Sequence, residues 1–171
     1  SMPSEIVAAL EEALEVATRN VPAFEGLNVV ICVDVSGSMS SSPVTGTRKG
    51  STTQVMSIDA AALIGSSLLR RNPNSRVIAF EGRVVPVKVN ATNKVMHNAR
   101  ILAGVGGGST DCAQPLVKLN QERASVDVVI FISDYESWTG YHGITDGTQM
   151  QGQWDLLKGR NPNAKLVCLD L

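Results

Sequence analysis

Residues 28–35, Asn-Val-Val-Ile-Cys-Val-Asp-Val, run almost without a polar break and lead straight into Ser36-Gly37-Ser38-Met39. The run is too short for a stable surface helix, so it reads as a strand buried on both faces. Such a strand belongs at the centre of a parallel sheet with helices above and below. A second run of the same kind, Asp127–Ser133 (DVVIFIS), ends in Asp134. Arg76–Phe80 and Lys165–Leu171 are shorter apolar runs of strand length. Val84–Val89 reads as one more strand, set antiparallel by the short Glu81-Gly82 turn and placed at an edge by Pro86, which cannot donate to a ladder. Helical stretches separate these strands: Val55–Arg71, Thr92–Ala103, Ala113–Arg123 and Gln149–Arg160. The expected fold is α/β, a doubly wound (Rossmann-like), mostly parallel sheet with one antiparallel edge strand and helices on both faces. Residues 5–20 precede it as an amphipathic helix, with Ser4 as N-cap and Ile6, Leu10, Ala13, Leu14 and Ala17 as its buried face. The division expected is therefore 1–25 as N-terminal helix and lead-in, and 26–171 as the sheet domain.

Composition agrees with one domain. The chain has 171 residues, 43% hydrophobic and 18% charged, enough to bury a core. Aromatics make up only 4%, so the core must be aliphatic. A net charge of −1 excludes whole-domain basic attraction to nucleic acid. No apolar run approaches the ~20 residues of a membrane span, and no secretory leader opens the chain, so no membrane partner and a cytoplasmic location are expected. Cys32, Cys112 and Cys168 are widely spaced with no CxxC pair, which argues against zinc and disulfides. Cys32 and Cys168 read as small buried hydrophobes.

In a doubly wound sheet, ligands bind beyond the carboxyl ends of the strands. Three stretches converge there: Asp34-x-Ser36-x-Ser38 after the first strand, Thr110 in the glycine-rich loop 104–111, and Asp134 after the 127–133 strand. All five side chains offer oxygen. Hard divalent cations take such a set, and hydroxyls with one or two carboxylates suit magnesium, with calcium or manganese as alternates. Two carboxylates balance the ion's charge while the neutral hydroxyls add none. The cation would then stay a strong Lewis acid toward a carboxylate or phosphate brought by a protein or nucleic-acid ligand. Asp111 reads either as a helix N-cap or as a contact behind the ligands. Glu136 and Trp138, in the loop after Asp134, read either as ordinary loop residues or as contacts to a metal-bound water or a partner. Tyr135, Trp138 and Tyr141 could stack on an unpaired base, and Arg48-Lys49 could meet phosphates.

DVSGSM after an apolar strand, then GGGSTD, then FISD, resembles the von Willebrand factor A (VWA) fold, whose metal-ion-dependent adhesion site (MIDAS) these motifs form. By position, Asp34, Ser36, Ser38, Thr110 and Asp134 match its five ligands. More narrowly, ALEEALEVATRNVPAFEGLNVVICVDVSGSMS, SPVTG, GGGSTDC and SDYESW are similar to the carboxy-terminal VWA domain of Ro-type (TROVE) ribonucleoproteins, bacterial branch. That resemblance implies a non-catalytic, metal-dependent binding module of a protein whose ring of helical repeats binds small non-coding and misfolded RNA. Tyr135 stands where bacterial relatives lead one to expect Asn. The family pattern continues past a fifth strand with another strand and helix, which the resemblance implies are missing here. The alternative is an intracellular VWA adaptor of an AAA-type ATPase. Enzymatic readings fare worse. No Walker A lysine, no GxSxG elbow and no positioned general base accompany the acids, and His97, His142 and Cys112 stand isolated.

Overall fold

Strand β1 (Val29–Asp34) is buried at every position, as its uninterrupted apolar run requires. The computed structural model describes residues 2–44, 54–134 and 145–171, with side chains in the last stretch from residue 149 onward. Arg48, Lys49, Tyr135, Glu136, Trp138, Tyr141 and His142 lie outside the described residues.

The order of elements is α1 (Ser4–Ala17), β1, α2 (Gly37–Ser41), α3 (Ser57–Arg71), β2 (Arg76–Phe80), β3 (Val84–Val85), α4 (Val95–Ala103), α5 (Gln114–Gln121), β4 (Val128–Ser133), α6 (Thr145–Arg160) and β5 (Lys165–Asp170). The described strands form one five-stranded sheet in the order β3-β2-β1-β4-β5. β1 pairs in parallel with β2 on one side and β4 on the other, β4 pairs in parallel with β5, and β2–β3 is the antiparallel hairpin. The chain leaves β1 toward β2 and later returns past β1 to β4. The carboxyl ends of β1 and β4 therefore flank the point where strand order reverses, which is where this architecture opens a crevice.

Alternation along the strands builds two cores. Val29, Ile31, Val33, Ile130 and Ile132 face α3 and α4, whereas Val30, Cys32, Val129, Phe131 and Phe80 face α5 and α6. Each fully buried aliphatic side chain of this kind contributes about 1.5–3 kcal/mol. Phe80 and Phe131 meet edge to face, their centroids 5.6 Å apart. Among the described residues no helix is long and apolar enough to cross a membrane.

Several local expectations change. The run Val84–Val89 yields only a two-residue strand, because Pro86 has no N–H to extend the ladder. Pro3 rather than Ser4 occupies the N-cap of α1. The helix expected from Thr92 starts at Val95, and the Thr92 hydroxyl donates to Asn90 Oδ1 instead. The buried face of α1 is also different. Ile6 and Leu10 are about half exposed, and the side facing the domain carries Glu11, Leu14, Glu15 and Thr18. Glu11 pairs with Arg100 at 2.9 Å. Glu15 accepts from Arg70 Nε at 3.0 Å and from the Val95 N–H at 2.6 Å, so α1 is held by ion pairs and by capping the start of α4. Cys32 is fully buried, which pushes its thiol far above its ordinary pKa, but Cys168 is exposed because β5 is an edge strand.

Candidate metal centre

The site begins with Asp34, the last residue of β1 and wholly buried. Its Oδ1 accepts the Ser36 N–H at 2.9 Å, which turns the chain sharply after the strand and brings the Ser36 and Ser38 side chains to the same edge. The hydroxyls of Ser36 and Ser38 are 3.2 Å apart. Met39, in the short helix α2, is fully buried beneath this turn and anchors it.

The strand register brings in the second segment. Val33 lies opposite Ile132, so the ends of β1 and β4 are neighbours. Ser133, the last residue of β4, donates from Oγ to Asp34 Oδ2 at 2.5 Å. Asp134 follows at once and is 4% exposed. Two carboxylates thus stand buried at the ends of adjacent strands, an arrangement in which a divalent cation balances charge that is costly to bury.

The glycine loop forms the third segment. The Gly107 N–H donates to Val35 O at 2.9 Å, and the Gly37 N–H donates to Gly108 O at 2.8 Å. Gly106 makes the approach feasible. Its φ is +85°, and a Cβ there would lie 2.1 Å from Val35 O. Thr110, half-buried, sits three residues past Gly107 in this tethered loop. The structure thus joins Asp34, Ser36, Ser38 and Ser133 through hydrogen bonds; Asp134 follows Ser133 in the chain, and Thr110 lies in the loop whose backbone is tied to Val35 and Gly37. Asp111 is turned to its own helix: Oδ1 accepts the Ala113 N–H at 2.9 Å and Oδ2 accepts Gln114 Nε2 at 2.6 Å. Glu136 and Trp138 lie outside the described residues.

The donor set fits a hard cation. Adjacent oxygens around an octahedral magnesium at 2.0–2.1 Å stand about 2.9 Å apart; the Ser36 and Ser38 hydroxyls, 3.2 Å apart, lie within a few tenths of an ångström of that spacing. Among the described residues no three His, Cys, Asp or Glu side chains gather as a metal cluster.

Two residues important to this geometry escape the sequence reading. Ser133 carried a signal, as the one hydroxyl closing an otherwise apolar strand beside Asp134. Glu81 carried none, since Glu81-Gly82 reads as a plain turn. Yet its carboxylate, in a residue only 9% exposed, accepts the Gly108 N–H at 2.8 Å. That bond, with Arg83 beside it, holds the carboxyl below the usual carboxylate range.

Comparison with known proteins identifies the family. The chain is 33% identical over 136 residues to the RNA-binding protein RO60 of Deinococcus radiodurans, a match covering 79% of this chain and 24% of that protein. The crystal structure of the Ro protein of Deinococcus radiodurans matches with a TM-score of 0.68 and 26% identity, covering 96% of this chain and 31% of that one. The chain therefore spans about a quarter to a third of the length of these relatives. The Ro60 vWA domain family matches residues 28–148, which takes in β1, the glycine loop and β4. With that span matched and the three segments meeting at the switch point, this chain belongs to the Ro60 vWA domain family.

Proposed function

We propose that this chain is a non-catalytic binding module that holds a divalent cation, magnesium in the cell, with Asp34, Ser36, Ser38, Thr110 and Asp134. It would serve within a cytoplasmic Ro-type protein that binds small non-coding or misfolded RNA. The observation carrying this reading is the hydrogen-bonded nest of Asp34, Ser36, Ser38 and Ser133 at the switch point of the sheet. The relative named RNA-binding protein RO60 supports the RNA context. A net charge of −1 gives this chain little whole-domain attraction for RNA. The family assignment favours this reading over an ATPase adaptor, which would use the same site.

When bound, the cation supplies Lewis acidity toward an oxygen of a partner. The chain's own residues do the rest. Asp34, fixed by the Ser36 N–H and the Ser133 hydroxyl, holds its carboxylate in one orientation. The neutral hydroxyls of Ser36, Ser38 and Thr110 add ligands without adding charge. The partner's carboxylate or phosphate is then the anion the centre still attracts.

The test is thermal melting with and without magnesium. A ligand at a hundredfold its Kd stabilises the folded state by about 2.7 kcal/mol. Magnesium should raise the Tm of the wild type and leave that of Asp34→Ala unmoved. Equal responses from both would remove the site assignment.

A further inference from the structure

We propose that Glu81 is a positioning residue that sets the preference of this centre for magnesium over calcium, by fastening the glycine loop on both sides of Thr110. The inference rests on the metal-binding reading above.

Glu81 follows the last residue of β2 directly, so it is anchored in the sheet. It holds the loop at two points. Its side-chain Oε2 accepts the Gly108 N–H at 2.8 Å, and its main-chain carbonyl accepts the Asp111 N–H at 3.1 Å. Thr110 lies between these two points. Glu81 is itself fixed: its N–H donates to Arg83 O at 2.8 Å, and Oε1 accepts Arg83 Nε at 3.2 Å. The loop comes so near that a Cβ on Gly108 would lie 2.8 Å from Glu81 Oε2.

The same peptide reaches the other ligands. The carbonyl of Gly108 accepts the N–H of Gly37, the residue between Ser36 and Ser38. The Glu81 carboxylate, Gly108 and the Ser36–Ser38 turn are thus tied in series. The backbone that carries Thr110 is thus tied to the turn that carries the two serine hydroxyls. No sequence motif marks this role, because Glu81 touches backbone and not the ion.

Ion preference follows from size. Magnesium demands near-ideal octahedral oxygens at 2.0–2.1 Å, whereas calcium accepts six to eight ligands at 2.3–2.6 Å in looser arrangements. A loop released from the Glu81 carboxylate at Gly108, while the Glu81 carbonyl still holds Asp111, would therefore cost magnesium more than calcium. The negative charge of Glu81 acts differently, since it attracts both divalent ions alike. The ratio of the two affinities separates positioning from charge.

The experiment is calorimetric titration of magnesium and of calcium, separately, into the 171-residue chain as wild type, Asp34→Ala, Glu81→Gln and Glu81→Ala, each checked for folding by circular dichroism. Wild type should bind both ions and Asp34→Ala neither. Glu81→Ala should weaken magnesium by about 10- to 100-fold, as loss of a group orienting metal ligands does, and calcium by no more than about threefold, given its tolerance of geometry. Glu81→Gln keeps an oxygen for the Gly108 N–H and should fall between; it carries the test with the same sign if Glu81→Ala does not fold. An unchanged ratio in the folded variants, whether both affinities fall together or neither falls, overturns the role of Glu81 and leaves the metal site standing. A wild type that binds neither ion, or an Asp34→Ala that binds as wild type does, overturns the metal reading and this inference with it.

Discussion

The hydroxyl of Ser133 donates to Oδ2 of Asp34 at 2.5 Å, joining the ends of β4 and β1 across 99 positions of sequence. The bond is wholly buried and its acceptor is an acid. Ser133→Ala removes it without adding bulk. A hydrogen bond to a charged group contributes about 1.5–3 kcal/mol, and in a domain of this size each kcal/mol moves Tm by about 2–4 °C. A scanning calorimeter should show Ser133→Ala melting roughly 5 °C below wild type. A shift within 1 °C, about a quarter to a half of a kcal/mol, would mean that the bond contributes far less than a charged hydrogen bond does.

Gly106 and Gly107 both have positive φ, at +85° and +104°, but only Gly106 is crowded. A Cβ on Gly107 meets nothing within 4 Å, whereas one on Gly106 meets Val35 O. Gly107→Ala should therefore show only the conformational penalty of a positive φ outside the αL well, about 1–3 kcal/mol. Gly106→Ala should lose more and displace the loop as well, so that magnesium no longer raises its Tm. Equal urea midpoints for the two variants would contradict the packing.

None of the residues of α1 is buried, so the helix depends on Glu11 and Glu15 to dock. Glu15→Ala removes both the ion pair with Arg70 and the cap on Val95, a loss of about 1 kcal/mol for the cap. Hydrogen exchange should then quicken throughout α1 while β1 and β4 stay protected. If α1 amides exchange at the wild-type rate, the helix is held by something else.

The ion pair of Glu122 with Arg76, at 2.5 Å and joined by Lys118, lowers the Glu122 carboxyl to about 2. A lowered carboxyl pKa contributes stability above its unfolded value near 4.5, and that contribution is lost as pH falls toward 2. Both Glu122 and Arg76 are more than a third exposed, so screening keeps the effect below about 1 kcal/mol. Urea melts should show Glu122→Gln slightly less stable than wild type at pH 7, with the gap closing between pH 4.5 and 2. A gap that widens toward acid would contradict the pairing.

The cysteines should separate by burial. Cys168 on the edge strand should react with iodoacetamide in the native protein, though slowly, because partial burial and Asp170 raise its thiol. Cys32 should react only after unfolding. Mass spectrometry of the native, alkylated protein finding the label on Cys32 would contradict its place in the core.

Both central strands were legible because a segment buried on two faces must be apolar throughout, and NVVICV and VVIFI satisfy that locally. The acids that end them were legible for a related reason: Asp34 and Asp134 break apolar runs at the carboxyl edge where this architecture opens its crevice. The face of α1 was misjudged, because apolar spacing cannot report that Arg70, Arg100 and the start of α4 wait on the other side. Cys168 was misjudged because an apolar run looks the same in a central strand and in an edge strand. Strand order is a property of pairing, not of the run itself.

Local order in the chain was enough for element type, for the class of sheet and for the oxygen-rich character of the centre. Each of these depends on the polarity of neighbouring residues along a few turns or a single strand. Folding in three dimensions was needed to bring Ser133 onto Asp34, to turn Asp111 away into its own helix, and to set Glu81 against Gly108. Those pairings join residues separated along the chain or fix where a side chain points, and both are settled only when strand register and loop path bring the atoms within hydrogen-bond reach.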